Sequence, residues 1–428
     1  MRVPAAFENR MKTRLGEAEW SAYALAVDGE PYKGVRANIL KITPETLQEK
    51  LPFALEPVPW EKNGFYTAEK KLGGNPYHFA GVFYSQEPSA MCAAPLLKVQ
   101  AGERVLDLCS APGGKGTRLA ADLQGQGLIV LNEPIFSRAK ILLQNTERMG
   151  IKNAVVLSEY PQTLEKRFPE YFDKIMVDAP CSGEGMFRKN AEEALGEWSE
   201  ENIALCAARQ AEILESAAKM LAVGGRMVYS TCTFAEEEDE WQVERFLQSH
   251  PEFSLVSMEK LYPHKVKGEG HFAAVFIKND GGRVELKPKK ATVSKQAEKA
   301  WREFEKEFFL APFAKNLYEF ENCLYELPQG VFDWTKLSVL RVGVKLGEMK
   351  NGRFEPSHAL VMAAKKEELC APVELTLEET ERYLHGEAID KDGKKGWRAA
   401  LFDGYPIGLG KCVDGTFKNH LPKGLRKL

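Results

Sequence analysis

Two short segments, Asp178-Ala179-Pro180-Cys181-Ser182-Gly183 and Ser230-Thr231-Cys232-Thr233, each close an apolar run that reads as a buried strand. Open parallel sheets bind ligands at one edge of their strand ends, so two thiols distant in the chain can face one pocket. Few chemistries need two thiols and no metal. One is methylation of a pyrimidine at C5: this carbon is not nucleophilic until a thiolate adds to C6, and its proton must later pass to a base. A lone buried cysteine is usually a small packing residue. Two of them at strand ends, beside Asp178 and Lys115, point to chemistry.

A second segment, Asp107-Leu108-Cys109-Ser110-Ala111-Pro112-Gly113-Gly114-Lys115, sits where a strand turns into a helix. Its glycines let the backbone approach a ligand, and the helix N-terminus offers free N–H groups to an anion such as a methionine carboxylate. The spacing is neither GxGxxG nor a P-loop, because Gly116 follows Lys115. Glu133 ends the next strand about twenty residues on, where such folds place an acid on ribose hydroxyls.

The elements that must position these residues form a regular alternation. Strands are expected at 104–109, 127–132, 153–157, 173–178 and 226–231, with helices near 88–99, 115–123, 135–149, 203–221 and 236–249. This beat predicts an α/β fold with a doubly wound parallel sheet. The run 272–278 reads as an antiparallel edge strand. Ahead of this core, 4–27 has helical periodicity, 35–42 reads as a strand, 44–50 as a short helix and 52–76 as turns and short strands. Beyond it, 281–300 carries six Lys/Arg against two Glu and reads as a solvated linker, with an ordered phosphate-binding strip as the alternative. Strands are expected at 337–346 and 359–363, a helix at 375–384 and a hairpin at 397–409. The basic end, with Lys411, Lys418, Lys423, Arg426 and Lys427, is a candidate RNA-facing module.

Composition bounds the rest. The chain has 428 residues, 28% of them charged, and a net charge of −3, so any nucleic-acid binding must come from local patches. Eight scattered cysteines without a CxxC pair argue against a disulfide framework and a zinc ribbon, and for reduced thiols in a cytosol. Cys109 looks like part of the backbone cradle and Cys206 like core. Cys92, Cys323, Cys370 and Cys412 show no partner chemistry. The histidines, His271 among them, have no ligand spacing and read as structural or RNA-facing, so no metal is assigned. Five consecutive acids, Glu236 to Glu240, read as favourable charge at a helix N-terminus. The start of the chain lacks a signal-peptide core and no run suits a bilayer span, so a cytoplasmic protein, expected to be a monomer, is indicated.

The segments DLCSAPGGK at 107–115, DAPCSGEGMFRK at 178–189 and STCT at 230–233, with Phe83-Tyr84-Ser85-Gln86-Glu87-Pro88-Ser89-Ala90-Met91, resemble the NOL1/NOP2/Sun family of RNA cytosine-C5 methyltransferases. Residues after about 310, including RFEPSH at 353–358 and KNHLPKGLR at 418–426, resemble the C-terminal extension of its bacterial rRNA branch (RsmF-like). The resemblance implies a Rossmann-like S-adenosylmethionine-dependent methyltransferase core with a small N-terminal α+β module and a C-terminal PUA-like domain. The expected domains are an RNA-binding module at 1–78, the methyltransferase domain at 79–280, a basic linker and connector at 281–365 and the PUA-like domain at 366–428.

Carried over, the resemblance makes Cys232 the nucleophile and Cys181 the thiol that assists C5 deprotonation and release, although DNA cytosine methylases use a Pro-Cys thiol and the motifs alone leave the order open. Asp178 would hold the N3 and N4 edge of the base, and Lys115 would support base and cofactor. Residues Cys109, Ser110, Ala111, Pro112, Gly113, Gly114 and Lys115, with Glu133 and Asp178, would bind S-adenosyl-L-methionine. Tyr160 stands where the family often has an acid for the adenine, with Glu159 as a possible substitute. The implied partner is rRNA, small-subunit (16S) rRNA or a 30S particle, with the target base flipped into the pocket. The rival readings are a catalytically inactive ribosome-assembly RNA-binding factor and a tRNA methyltransferase with the same chemistry.

Overall fold

The computed structural model describes residues 3–427. Among them, the central sheet runs in the order Phe253–Leu261, His271–Lys278, Leu221–Thr231, Phe172–Asp178, Arg104–Asp107, Leu128–Asn132, Ala154–Leu157 and Val339–Val342. The five middle strands are parallel. They are short apolar runs buried on both faces, as a sheet sandwiched between helices requires. One face carries Leu106, Val130, Val155 and Ile175, and the other Val105, Ile129, Leu131 and Met176. Chain order reverses between Arg104–Asp107 and Phe172–Asp178, and the crevice at this reversal is where such sheets bind ligands.

Several expectations are corrected. The strand at 272–278 is antiparallel but interior, hydrogen-bonded to Leu221–Thr231 on one side and to the edge strand Phe253–Leu261 on the other. That edge strand, mostly exposed, mixes Ser, Glu and Lys with its apolar residues and gives no clean alternation. The helix at 88–99 reduces to a turn at Ser89–Met91 and one short helix, Ala93–Leu96. The strand at 359–363 is a helix, His358–Met362, whose N-cap Ser357 hydroxyl accepts the Leu360 N–H. A short apolar run cannot reveal its own period, and here the cap decided it. The helix at 4–27 is two helices, Ala5–Leu15 and Glu17–Val27, parted at Gly16.

The N-terminal sheet, in the order Glu56–Pro57, Gly64–Thr67, Lys33–Ala37 and Phe83–Ser85, takes its last strand from beyond the expected boundary at 78. The C-terminal five-stranded sheet is built from Val373–Leu375, Gly396–Phe402, Tyr405–Val413, Thr416–Asn419 and Ile389–Asp390. These two modules share one core, in which Val35, Leu47 and Phe83 pack with Leu375, Ile407 and Phe417. The stretch 281–300 is not free chain: Arg283 pairs with Asp173, Lys289 Nζ lies 2.9 Å from Asp333 Oδ1, and a helix, Lys295–Phe308, begins inside it.

The expected strand at 337–346 is divided between two sheets. Val339–Val342 extends the central sheet by pairing with Ala154–Leu157, and Val344–Lys350 belongs to a separate connector sheet. Gly343 makes the switch with φ +60°, its N–H donating to Ala154 O at 2.9 Å. A Cβ there would meet Glu326 O and Pro328. Gly343→Ala should therefore cost about 2 kcal/mol or more of stability. Thermal denaturation of the two proteins checks it, and an unchanged midpoint would contradict this account of the switch.

Candidate active site

The register of the sheet brings the thiols together. Asp178 lies opposite Ser230 at the paired ends of two parallel strands, so the residues that follow leave the sheet side by side. Cys181 Sγ and Cys232 Sγ are 3.2 Å apart, and the Cys232 N–H donates to Cys181 Sγ at 3.4 Å. One step further on, the Ser182 and Thr233 hydroxyls are 2.9 Å apart. The hydrogen bond with Cys232, together with burial, pushes the Cys181 thiol well above the usual cysteine range.

Buried acids hold the two loops. Glu238 accepts the Ser182 N–H at 3.0 Å and Gln210 Nε2 at 2.7 Å. Asp239 accepts the Thr231 hydroxyl at 2.6 Å and pairs with Lys260 at 2.6 Å. Burial pushes both carboxyls up to about 7. The acidic run expected to serve as helix N-terminal charge therefore splits: the helix begins at Glu240, and Glu238 and Asp239 turn inward as supports. Glu184, in the loop after Cys181, accepts the Phe234 N–H at 3.1 Å and Trp198 Nε1 at 2.8 Å, and pairs with Arg10 of the first helix. Gly185 approaches so closely that its N–H donates to Cys232 O at 2.8 Å, and a Cβ would collide with that oxygen. The N-terminal helices close over this loop, with Phe7 and Tyr23 packed among Phe187 and Phe234.

Across the crevice, Lys115 Nζ lies 2.8 Å from Asp178 Oδ2, and Ser230 donates to Asp178 Oδ1 at 2.8 Å. Burial opposes both charges. It is outweighed: Asp178 raises the ammonium, and Lys115, with the hydrogen bond from Ser230, holds the Asp178 carboxyl below its ordinary value. The pair thus stays charged. His271 Nε2 is 3.9 Å from Asp178 Oδ1.

Lys115, Asp178, Cys181, Cys232 and His271 line one cavity of about 610 Å³ with Asp107, Cys109, Ser110, Ala111, Pro112 and Gly114. Of the expected cradle residues, Gly113 and Glu133 are absent from its wall. Gly113 adopts φ +111° at the N-cap of the helix Gly114–Asp122, with its open side toward Leu142. Glu133 is buried, accepting the Ile135 N–H at 3.0 Å and lying 3.3 Å from Arg138 Nη1, and Arg138 is the residue that lines the cavity. Glu159 is engaged elsewhere, accepting the Ser338 N–H at 2.6 Å, and Tyr160 is exposed.

Three contributors lie outside the site residues assigned from the sequence. Asp107 accepts the Ser110 hydroxyl at 2.7 Å through Oδ2, its Oδ1 is buried without a hydrogen-bond partner among the described residues, and burial pushes it up to about 7. Asn132 ties three strand ends together, donating to Leu108 O at 3.1 Å and Glu159 O at 2.9 Å. Arg36, from the N-terminal sheet, donates to Gln86 Oε1 at 2.7 Å, Thr117 Oγ1 at 2.9 Å and Gly114 O, fastening the cradle helix. Only Asp107, which opens the DLCSAPGGK motif at its strand end, carried a signal that could have marked it.

Comparison with known proteins agrees along the chain. Residues 94–280 match the family model described as 16S rRNA methyltransferase RsmB/F, and 3–88 match the N-terminal domain of 16S rRNA methyltransferase RsmF. Residues 303–363 match the RsmF rRNA methyltransferase first C-terminal domain, and 370–427 the methyltransferase RsmF PUA domain. The ribosomal RNA small subunit methyltransferase F of Vibrio vulnificus (strain YJ016) is 32% identical over 463 aligned positions, covering 99% of this chain and 97% of that protein. That of Aliivibrio fischeri (strain ATCC 700601 / ES114) is 33% identical, covering 92% and 91%. Among solved structures, a methyltransferase homolog protein from Pyrococcus horikoshii is 27% identical with a TM-score of 0.56, covering 61% of this chain and 91% of that one. NSun6 from Pyrococcus horikoshii with SFG has a TM-score of 0.59 at 21% identity, covering 65% and 99%, and shares the fold. With near-complete coverage at this identity, and with the NOL1/NOP2/Sun motifs at the strand ends of one cavity, the chain belongs to the RsmB/F family of 16S rRNA methyltransferases.

Proposed function

We propose that the protein methylates C5 of cytosine in small-subunit rRNA, using S-adenosylmethionine and a covalent cysteine adduct. The observation that carries this reading is the pair of sulfurs 3.2 Å apart beside the charged Lys115–Asp178 pair. Such an arrangement suits a reaction that forms and then breaks an S–C6 bond, with one sulfur to attack and the other to assist release. The family's name supplies the rRNA, and the C-terminal module, matched as a PUA domain, suits RNA contact.

The residues present fit the cofactor. Asp107 offers a buried carboxylate oxygen without a hydrogen-bond partner among the described residues for a cationic amine, and Ser110, Ala111, Pro112 and Gly114 wall the same cavity at a helix N-terminus. When bound, S-adenosylmethionine supplies the electrophilic methyl group. The chain's own groups do the rest. Asp178 accepts from the N4 amine of a flipped cytosine while the Lys115 ammonium faces N3. The proton held on Cys181 leaves Cys232 as the attacking sulfur. As S–C6 forms, the C5–C6 π pair becomes available at C5, conjugated through C4 to N3. Once C5 is substituted, its proton leaves to a base and the electron pair expels Cys232, restoring the double bond, with Cys181 assisting deprotonation and release.

If Cys232 attacks and Cys181 assists elimination, Cys181→Ala should accumulate RNA-linked protein that survives denaturing electrophoresis, and Cys232→Ala should form none. An adduct only in the Cys232 variant would reverse the roles, and methyl transfer to rRNA by neither variant nor wild type would favour an RNA-binding factor without catalysis.

Because the Asp107 carboxyl titrates at about 7 and a bound cation favours its ionised form, cofactor affinity should rise between pH 6 and 8 and level off above. Asp107→Asn should weaken binding about tenfold at pH 8 and flatten that rise, as read by calorimetry.

The basic end is folded, with Phe417 and Leu421 buried, so truncation would damage the domain. Reversing the charge of the exposed Lys411, Lys418 and Lys423 instead should reduce the log–log salt slope of rRNA binding by about 0.7 to 0.9 for each phosphate no longer neutralised. An unchanged slope would mean that these lysines are merely solvated.

A further inference from the structure

Among the cavity-lining polar side chains that the mechanism above leaves unused is His271, whose Nε2 lies 3.9 Å from Asp178 Oδ1. His271 is the first residue of its strand, and the antiparallel pairing ends at Phe272 opposite Thr231, so His271 and Cys232 are the residues next beyond the last pair on the two chains. Both residues line the cavity. The imidazole is 2% exposed, lines the cavity, and neither ring nitrogen has a hydrogen-bond partner among the described residues.

Two buried unpaired nitrogens are costly in a folded protein and are normally satisfied by something that enters. Asp178 does not satisfy them, because the 3.9 Å gap from Nε2 to Oδ1 exceeds hydrogen-bond reach. Nor is the ring a cation. Burial, with Lys115 nearby, pushes it down to about 3, so at neutral pH one nitrogen carries hydrogen and the other is an acceptor.

We propose that His271 contacts the reacting base, donating a ring N–H to the O2 carbonyl of the cytosine held at Asp178. The inference rests on the cytosine reading above. With N4 on Asp178 and N3 toward Lys115, O2 is the acceptor left over. It is also where charge arrives. As the S–C6 bond forms, the C5–C6 π pair moves through C4 onto N3 and is shared with O2, and it returns to C5 as the methyl group is accepted. A donor fixed at O2 therefore binds the adduct more strongly than the free base and lowers the barrier to addition.

The test uses the full-length protein with unmodified small-subunit rRNA and His271→Phe, which keeps the flat ring and removes both nitrogens, beside His271→Gln, which restores a donor. The Phe variant should lose 10- to 100-fold in kcat with a smaller change in KM, keep wild-type cofactor affinity by calorimetry, and form the Cys181→Ala-dependent adduct correspondingly slowly. The Gln variant should recover part of the loss. Wild-type kcat in the Phe variant would overturn the proposal. So would equal losses in both variants accompanied by lost cofactor affinity or a lowered melting temperature, since these mark a packing role. Failure of the underlying reading looks different: wild-type protein would then leave cytosine C5 unmethylated.

Discussion

The Lys115–Asp178 ion pair is the interaction on which the site depends. It spans the reversal in strand order, with the ammonium on the helix that follows the first core strand and the carboxylate at the end of the fourth. The ammonium is buried and the carboxylate half-buried, so the pair gives up much of its solvation and depends on geometry and further hydrogen bonds to compensate. Here Ser230 takes the second carboxylate oxygen from the adjacent strand, so three strand ends must be in register before the charges are tolerated. The same register then fixes where the two chains leave the sheet, and hence the distance between the thiols. Charge placement and sulfur placement are one constraint.

What could be read from the sequence followed from periodicity and from motifs that end strands. The alternation from 104 to 231 is strong because parallel strands buried on both faces are short apolar runs, and Cys181, Cys232, Asp178 and Lys115 meet because each terminates or follows such a run. The misreadings occur where local pattern is silent. The run around 359–363 has no period of its own, and a hydroxyl cap made it a helix. The segment at 337–346 looks continuous, yet one glycine sends its halves to different sheets. Glu133 sits at the expected distance from the cradle but turns to Ile135 and Arg138, which spacing cannot foretell.

Around the thiols, much of the order comes from groups with no chemistry of their own. Glu184, Glu238 and Asp239 are fully buried carboxyls that accept from backbone and side-chain donors of both cysteine loops. A row of acids in a sequence looks like a solvated face, since burying them is unfavourable unless every oxygen finds a donor. Here the donors come from far along the chain, which is why the run at 236–240 could not be read as internal support. The cost of burial is offset by rigidity in loops that would otherwise move at the place where two sulfurs must stay in contact.

Arg36 fastens the cradle helix from a module whose own core is completed by residues at the other end of the chain. During synthesis the first ninety residues therefore emerge long before the partners that bury Val35, Leu47 and Phe83, which are Leu375, Ile407 and Phe417. Contacts of such sequence separation carry a large loop-closure entropy and form late. The pocket accordingly acquires this support only after those later residues have emerged, and a fragment cut short before them carries its cradle helix on a module whose core is incomplete.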